Sequence, residues 1–113
     1  MVKNEEYEDM NMITEYFERT DEYVKKYGPN TLLLMQCGTF YEVYAYSEPN
    51  NSEYKGGRIL EFSQMCNLSI STKANTKYRN NPVHMAGFQH YSIDKYIQRL
   101  GENNYTGGEY IQQ

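Results

Sequence analysis

The stretch Thr31–Cys37, TLLLMQC, constrains the fold more than any other. Consecutive apolar side chains point to opposite faces of a strand, so a strand built from them must be covered on both sides. Gly38 and Thr39 interrupt the run, and FYEVYAY (40–46) reads as a second, aromatic-rich strand. Ile13, Tyr16, Phe17, Tyr23, Val24 and Tyr27 lie at helical spacing and predict a helix over about 12–27. Lys25 and Lys26 suit its last turn, and Gly28-Pro29 ends it. EPNNSEYKGG (48–57) is turn chemistry, and RILEFSQMCNL (58–68) predicts a short helix. SIST (69–72) and VHMAGF (83–88) read as strands on either side of a polar loop, KANTKYRNNP (73–82). Ser92 as N-cap, Asp94 in the first turn and the stripe Ile93, Tyr96, Ile97, Leu100 predict a last helix stopped by Gly101. NNYTGGEYIQ then reads as a closing strand weakened by Gly107-Gly108. Helices alternating with strands predict an α/β fold, a mixed β-sheet flanked by helices in a single domain. Residues 1–11 read as an acidic leader and 12–113 as the domain.

Several function classes are disfavoured at once. A net charge of -4 argues against nucleic-acid binding by electrostatics alone, because phosphate contacts dominate such affinity. If this chain touches DNA, most of the phosphate grip comes from elsewhere. Cys37 and Cys66 read as reduced, buried thiols of an intracellular protein. His84 and His90 stand apart from both, so no metal-ligand cluster is expected. No apolar run reaches the ~18 residues a membrane span needs. The glycine turns GPN, KGGR and TGGE lack the Lys-Ser/Thr of a phosphate-binding loop, so no nucleotide cofactor is expected in this chain.

Phe40-Tyr41-Glu42 carries the sharper signal. Phe40 and Glu42 project to one side of an extended segment, at the exit of a glycine turn. A plain strand, with Phe40 packed inward and Glu42 in water at the strand end, is one reading. In the other, an aromatic ring enters the minor groove as a wedge that unstacks a base step and kinks the duplex. A carboxylate beside it accepts a hydrogen bond from a base donor and repels phosphates, which suits only a poorly stacked or mispaired base. Lys73, Lys77 and Arg79 are possible DNA-backbone contacts. Tyr41, between the two, is expected to face the protein.

GTFYEVY resembles the Gly-x-Phe-Tyr-Glu-[Leu/Val]-[Phe/Tyr] signature of the mismatch-recognition domain of the MutS family of DNA mismatch repair proteins. MITEYFERTDEYVKKYGPNTLLL, LSISTK, PVHMAGFQHYSIDKYIQRL and the closing YIQQ are similar to further elements of that domain, in order, over about 12–113. The resemblance implies a non-enzymatic α/β domain at the tip of a dimeric DNA clamp, with Phe40 as the wedge and Glu42 as the acceptor. It implies mismatched double-stranded DNA, the remaining MutS-like domains and a second subunit as partners. ATP and Mg2+ would serve the full-length parent, C-terminal to this chain, which then reads as an excised or stand-alone domain. It places the protein wherever the genome is replicated: nucleus, organelle, bacterial cytoplasm or viral factory. Gln36 stands where family members often carry a basic residue, Thr39 replaces the commoner Asp or Lys, and Gly107-Gly108 replaces an apolar stretch. The alternatives are a protein-interaction domain of the same fold that has lost DNA recognition, and a small α/β enzyme for which no titratable pocket is nominated.

Overall fold

The computed structural model describes the backbone of residues 4–111 and the side chains of residues 10–111. Residues 1–3 of the acidic leader and the final Gln112-Gln113 lie outside the described residues. The chain order is α1 (Asn4–Tyr27), β1 (Thr31–Cys37), β2 (Phe40–Tyr46), α2 (Ile59–Cys66), β3 (Ser71–Tyr78), β4 (Asn81–Gln89), α3 (Ile93–Glu102) and β5 (Thr106–Ile111). The strands form one mixed sheet in the order β3-β4-β2-β1-β5, with β5 parallel to β1 and the other pairs antiparallel.

The apolar run of β1 is buried from Thr31 to Met35, and its alternating side chains feed two cores. Leu33 and Met35 join Met12, Ile13, Tyr16 and Phe17 of α1, together with Tyr44 and Val83. Leu32 and Leu34 point the other way, into a core with Tyr41, Val43, Phe62, Phe88 and Leu100 beneath α2 and α3. Both faces of the central strands are therefore dry, as a continuous apolar strand demands.

Four local expectations change. The first helix begins at Asn4, not near residue 12, so residues 4–11 continue it rather than forming a loose leader. Most of the 73–82 loop is strand: β3 runs to Tyr78 and turns through Arg79 (φ 50°) and Asn80 (φ 66°) into β4. Positive φ at both residues of a two-residue loop is the twist that matches a hairpin. α3 runs through Gly101 to Glu102, and the left-handed residue that closes it is Asn104, after which the Tyr105 N–H returns to the Leu100 carbonyl at 2.9 Å. Ser92 stands at its N-terminus without a side-chain capping bond, behind a 3-10 turn over His90–Ser92.

Gly107 and Gly108 do not break β5, which pairs with β1 from Thr31↔Thr106 to Gln36↔Ile111. A Cβ at Gly107 would lie 2.7 Å from Ile97 Cδ1, and one at Gly108 3.2 Å from Tyr23 Cδ2. The two glycines let α3 and α1 settle onto opposite faces of the strand. Tyr110 fastens β5 to α1 by donating its hydroxyl to Glu15 Oε1 at 2.6 Å.

His84 on β4 sits between two hydroxyls, with Nε2 2.8 Å from Ser47 Oγ and Nδ1 3.4 Å from Thr72 Oγ1. Partial burial lowers its pKa below the ordinary 6.5. The folded state thus binds fewer protons there than the unfolded chain, and stability must fall with falling pH. The contribution is complete above about pH 6.5, the unfolded value, and is lost as pH drops through the folded one. Urea midpoints measured from pH 7.5 to 5.5 should decline in the wild type and decline less in His84→Gln; equal slopes would remove His84 from this role.

Candidate nucleic-acid interface

The β1–β2 hairpin places the two residues that sequence reasoning singled out. Cys37 pairs with Phe40 across the two-residue loop Gly38-Thr39. Gly38 takes φ +63° while Thr39 does not enter the positive-φ region, the pattern of a turn that wants glycine first. The turn is tied to the next strand end by the His90 N–H donating to the Thr39 carbonyl at 2.8 Å.

Phe40 and Glu42 do project to one face, that of α1, but they differ in exposure. Phe40, the first residue of β2, is 43% exposed at the hairpin end of the sheet. Glu42 is 7% exposed, so the two are not presented together at the surface. Glu42 lies between Met35 on β1 and Gly87 on β4, its strand partners. A Cβ at position 87 would stand 3.0 Å from Glu42 Cγ, so the absent side chain of Gly87 makes the berth for this carboxylate. The Tyr44 hydroxyl donates to Glu42 Oε1 at 3.0 Å. Tyr41 faces the opposite core and packs against Phe88 with ring centroids 5.8 Å apart.

Around Glu42 the site is buried and acidic. Burial, and then the Glu42 charge, push the Tyr44 phenol far above its ordinary range. The Cys37 thiol is raised by burial first and by Glu42 second, with the Lys73 charge pulling the other way. Cys37 Sγ also lies 3.7 Å from Met12 Sδ. A thiol held protonated is a poor nucleophile. Among the described residues no group of His, Cys, Asp and Glu could hold a metal ion. No described helix is long and apolar enough to cross a membrane.

The three cations all belong to the β3–β4 hairpin, with Lys73 next to Thr72, the strand partner of His84. Lys77 pairs with Pro82, and Arg79 caps the β3–β4 hairpin with its guanidinium 5.0 Å from the Tyr78 ring. That hairpin adjoins Asn81, whereas Phe40 pairs with Gln89 at the other end of β4. A strand of that length separates the two by roughly 27 Å. Sequence reasoning also missed a neighbour: Tyr91, 72% exposed, follows the β4 end that holds Phe40. Only the strand register brings it there.

No family model matches the chain. Curated sequences named DNA mismatch repair protein MutS do match. That of Lactobacillus delbrueckii subsp. bulgaricus is 31% identical over 94 residues, covering 83% of this chain and 9% of the relative. That of Streptococcus pneumoniae is 34% identical over 82 residues, 73% of this chain and 8% of the relative. The Bacteroides thetaiotaomicron protein is 30% identical over 77 residues, 68% and 7% respectively. The chain thus spans less than a tenth of the length of these relatives, and the matching part is their N-terminal region.

Proposed function

The chain belongs to the MutS family as a homologue of its N-terminal region, and from that premise we propose that it recognises mispaired or unpaired bases in double-stranded DNA. The observation that supports this most is Phe40: a large aromatic side chain, 43% exposed, held at a rigid two-residue turn. Its ring enters the minor groove and wedges at the mispair, kinking the duplex. A mispaired base costs less to unstack than a matched one, and that difference of a few kcal/mol is the discrimination. Glu42 supplies the hydrogen-bond acceptor for the displaced base. Lys73, Lys77 and Arg79, on the β3–β4 hairpin, contact backbone phosphate at a point along the duplex separate from the mispair.

The recognition domain is taken as 12–113, with 1–11 ahead of it. In this reading the chain is a binding module, not an enzyme. Its homologous part is not the ATPase region of MutS, and ATP and Mg2+ belong to the remainder of the parent. The net charge of -4 fits a module that relies on the remaining MutS-like domains and a second subunit for its phosphate contacts. Its place is inside the cell, where the genome is replicated.

Base–aromatic stacking is worth about 1–3 kcal/mol. Phe40→Ala in the intact protein should therefore reduce the preference for mismatched over matched duplex about fivefold or more. Equilibrium binding to paired duplexes, with and without a mismatch, measures it; an undiminished preference removes the wedge. One observation favours a second reading: Glu42 is buried in the free chain. A protein-interaction domain that has lost DNA recognition would show no preference for mismatches in either variant.

A further inference from the structure

The Tyr44 hydroxyl is a buried group that neither the wedge nor the cores require. Tyr44 is fully buried, and its ring stands edge-on to Tyr16 at 5.0 Å and 89°. Tyr16 is pinned in turn by its own hydroxyl, which donates to the Leu33 carbonyl at 2.9 Å. The Tyr44 O–H reaches Glu42 Oε1 along the same face of β2, with its ring packed edge-on against Tyr16 of α1. A carboxylate taken out of water is stable only when hydrogen-bonded, and a donor to a charged acceptor makes the stronger kind of bond.

We propose that Tyr44 is a positioning residue for mismatch recognition: its hydroxyl anchors one oxygen of Glu42 and orients the carboxylate toward the base displaced by Phe40. This rests on the mismatch-recognition reading. Gly87 opens the berth, Tyr44 fixes the carboxylate within it, and the base meets an acceptor that is already oriented. The Cys37 thiol also comes within hydrogen-bonding reach of Glu42 and of Tyr44, besides lying 3.7 Å from Met12 Sδ, but a thiol is a weak donor, which leaves the Tyr44 hydroxyl as the strong one.

The test is a double-mutant cycle in the intact protein, reading the ratio of matched to mismatched dissociation constants. Tyr44→Phe keeps the ring and removes only the hydroxyl. It should lower the ratio about tenfold, the scale of one hydrogen bond to a charged group. In a Glu42→Ala background the same change should have no further effect, because the anchored group is gone. Equal losses in both backgrounds, or no loss in the first, overturn the proposal. If Phe40→Ala abolishes the preference while Tyr44→Phe does not, the wedge stands and only the anchor fails. If Phe40→Ala leaves the preference intact, the wedge fails first. Should Tyr44→Phe lose the wild-type melting transition, 3-fluorotyrosine at position 44 replaces it. Its more acidic hydroxyl should shift the ratio, and an unshifted ratio overturns the anchor.

Discussion

Gly87→Ala is expected to lower the stability of this domain by about 2 kcal/mol and, in the same step, to dislodge Glu42. The new Cβ would stand 2.5 Å from the Tyr41 carbonyl oxygen and 3.3 Å from Glu42 Cα, both backbone atoms of β2. Those atoms cannot yield without opening the β2–β4 ladder, which runs unbroken from Phe40↔Gln89 to Tyr46↔Val83. Overpacking of this kind costs about 1–3 kcal/mol, while the stiffer unfolded chain returns only about 0.4–1. Each kcal/mol shifts the melting temperature of a domain this size by roughly 4–8 °C, so a loss near 10 °C should be seen by calorimetry. Gly101→Ala is the control. It lies inside α3, and a Cβ there meets nothing within 4 Å. It should stabilise by up to about 1 kcal/mol through helix propensity. If both glycines respond alike, the strand contact at Gly87 is not what the backbone positions imply.

What was legible in the chain is what a single segment decides. The TLLLMQC run required a strand covered on both faces, and Gly38 marked the hairpin turn that presents Phe40. The stripe of Ile93, Tyr96, Ile97 and Leu100 fixed α3 to within two residues of its true end. Features set by two distant segments were not legible. KANTKYRNNP looks like a loop because its polar residues carry no period-two pattern, yet pairing with β4 makes most of it strand. Gly107-Gly108 looks like a weakness until Ile97 and Tyr23 are seen packed where side chains would stand. Glu42 belongs to the same class. Its neighbours in sequence suggested exposure, whereas Gly87 and Tyr44 together make a buried berth.

That distinction matters for the burial of Glu42, the one place where the geometry departs from a pair of residues exposed side by side. An exposed carboxylate at the hairpin tip would repel every phosphate that approached. Under the proposed wedge, a carboxylate held 7% exposed would present little charge to a matched duplex and would meet a base only after the Phe40 ring had opened the step.

Phe62 and Phe40 should separate stability from recognition. Phe62 is fully buried on α2, with its ring 6.3 Å from Phe88 in the core beneath α2 and α3. Its truncation to alanine should cost about 3–5 kcal/mol, the transfer of an aromatic ring plus the cavity left behind. Domains of this kind hold only about 5–15 kcal/mol in total. Phe62→Ala should therefore melt at least about 12 °C lower, and any loss of DNA binding should track the unfolded fraction. Phe40→Ala removes a ring that is 43% exposed at the edge of the α1 face, and its stability change should stay below about 1 kcal/mol. Melting curves of both variants, set beside their duplex binding, decide the matter. A wedge predicts that Phe40→Ala loses mismatch preference with an unchanged melt. If Phe40→Ala melts as low as Phe62→Ala, its ring is a core residue and the plain strand reading of this hairpin returns.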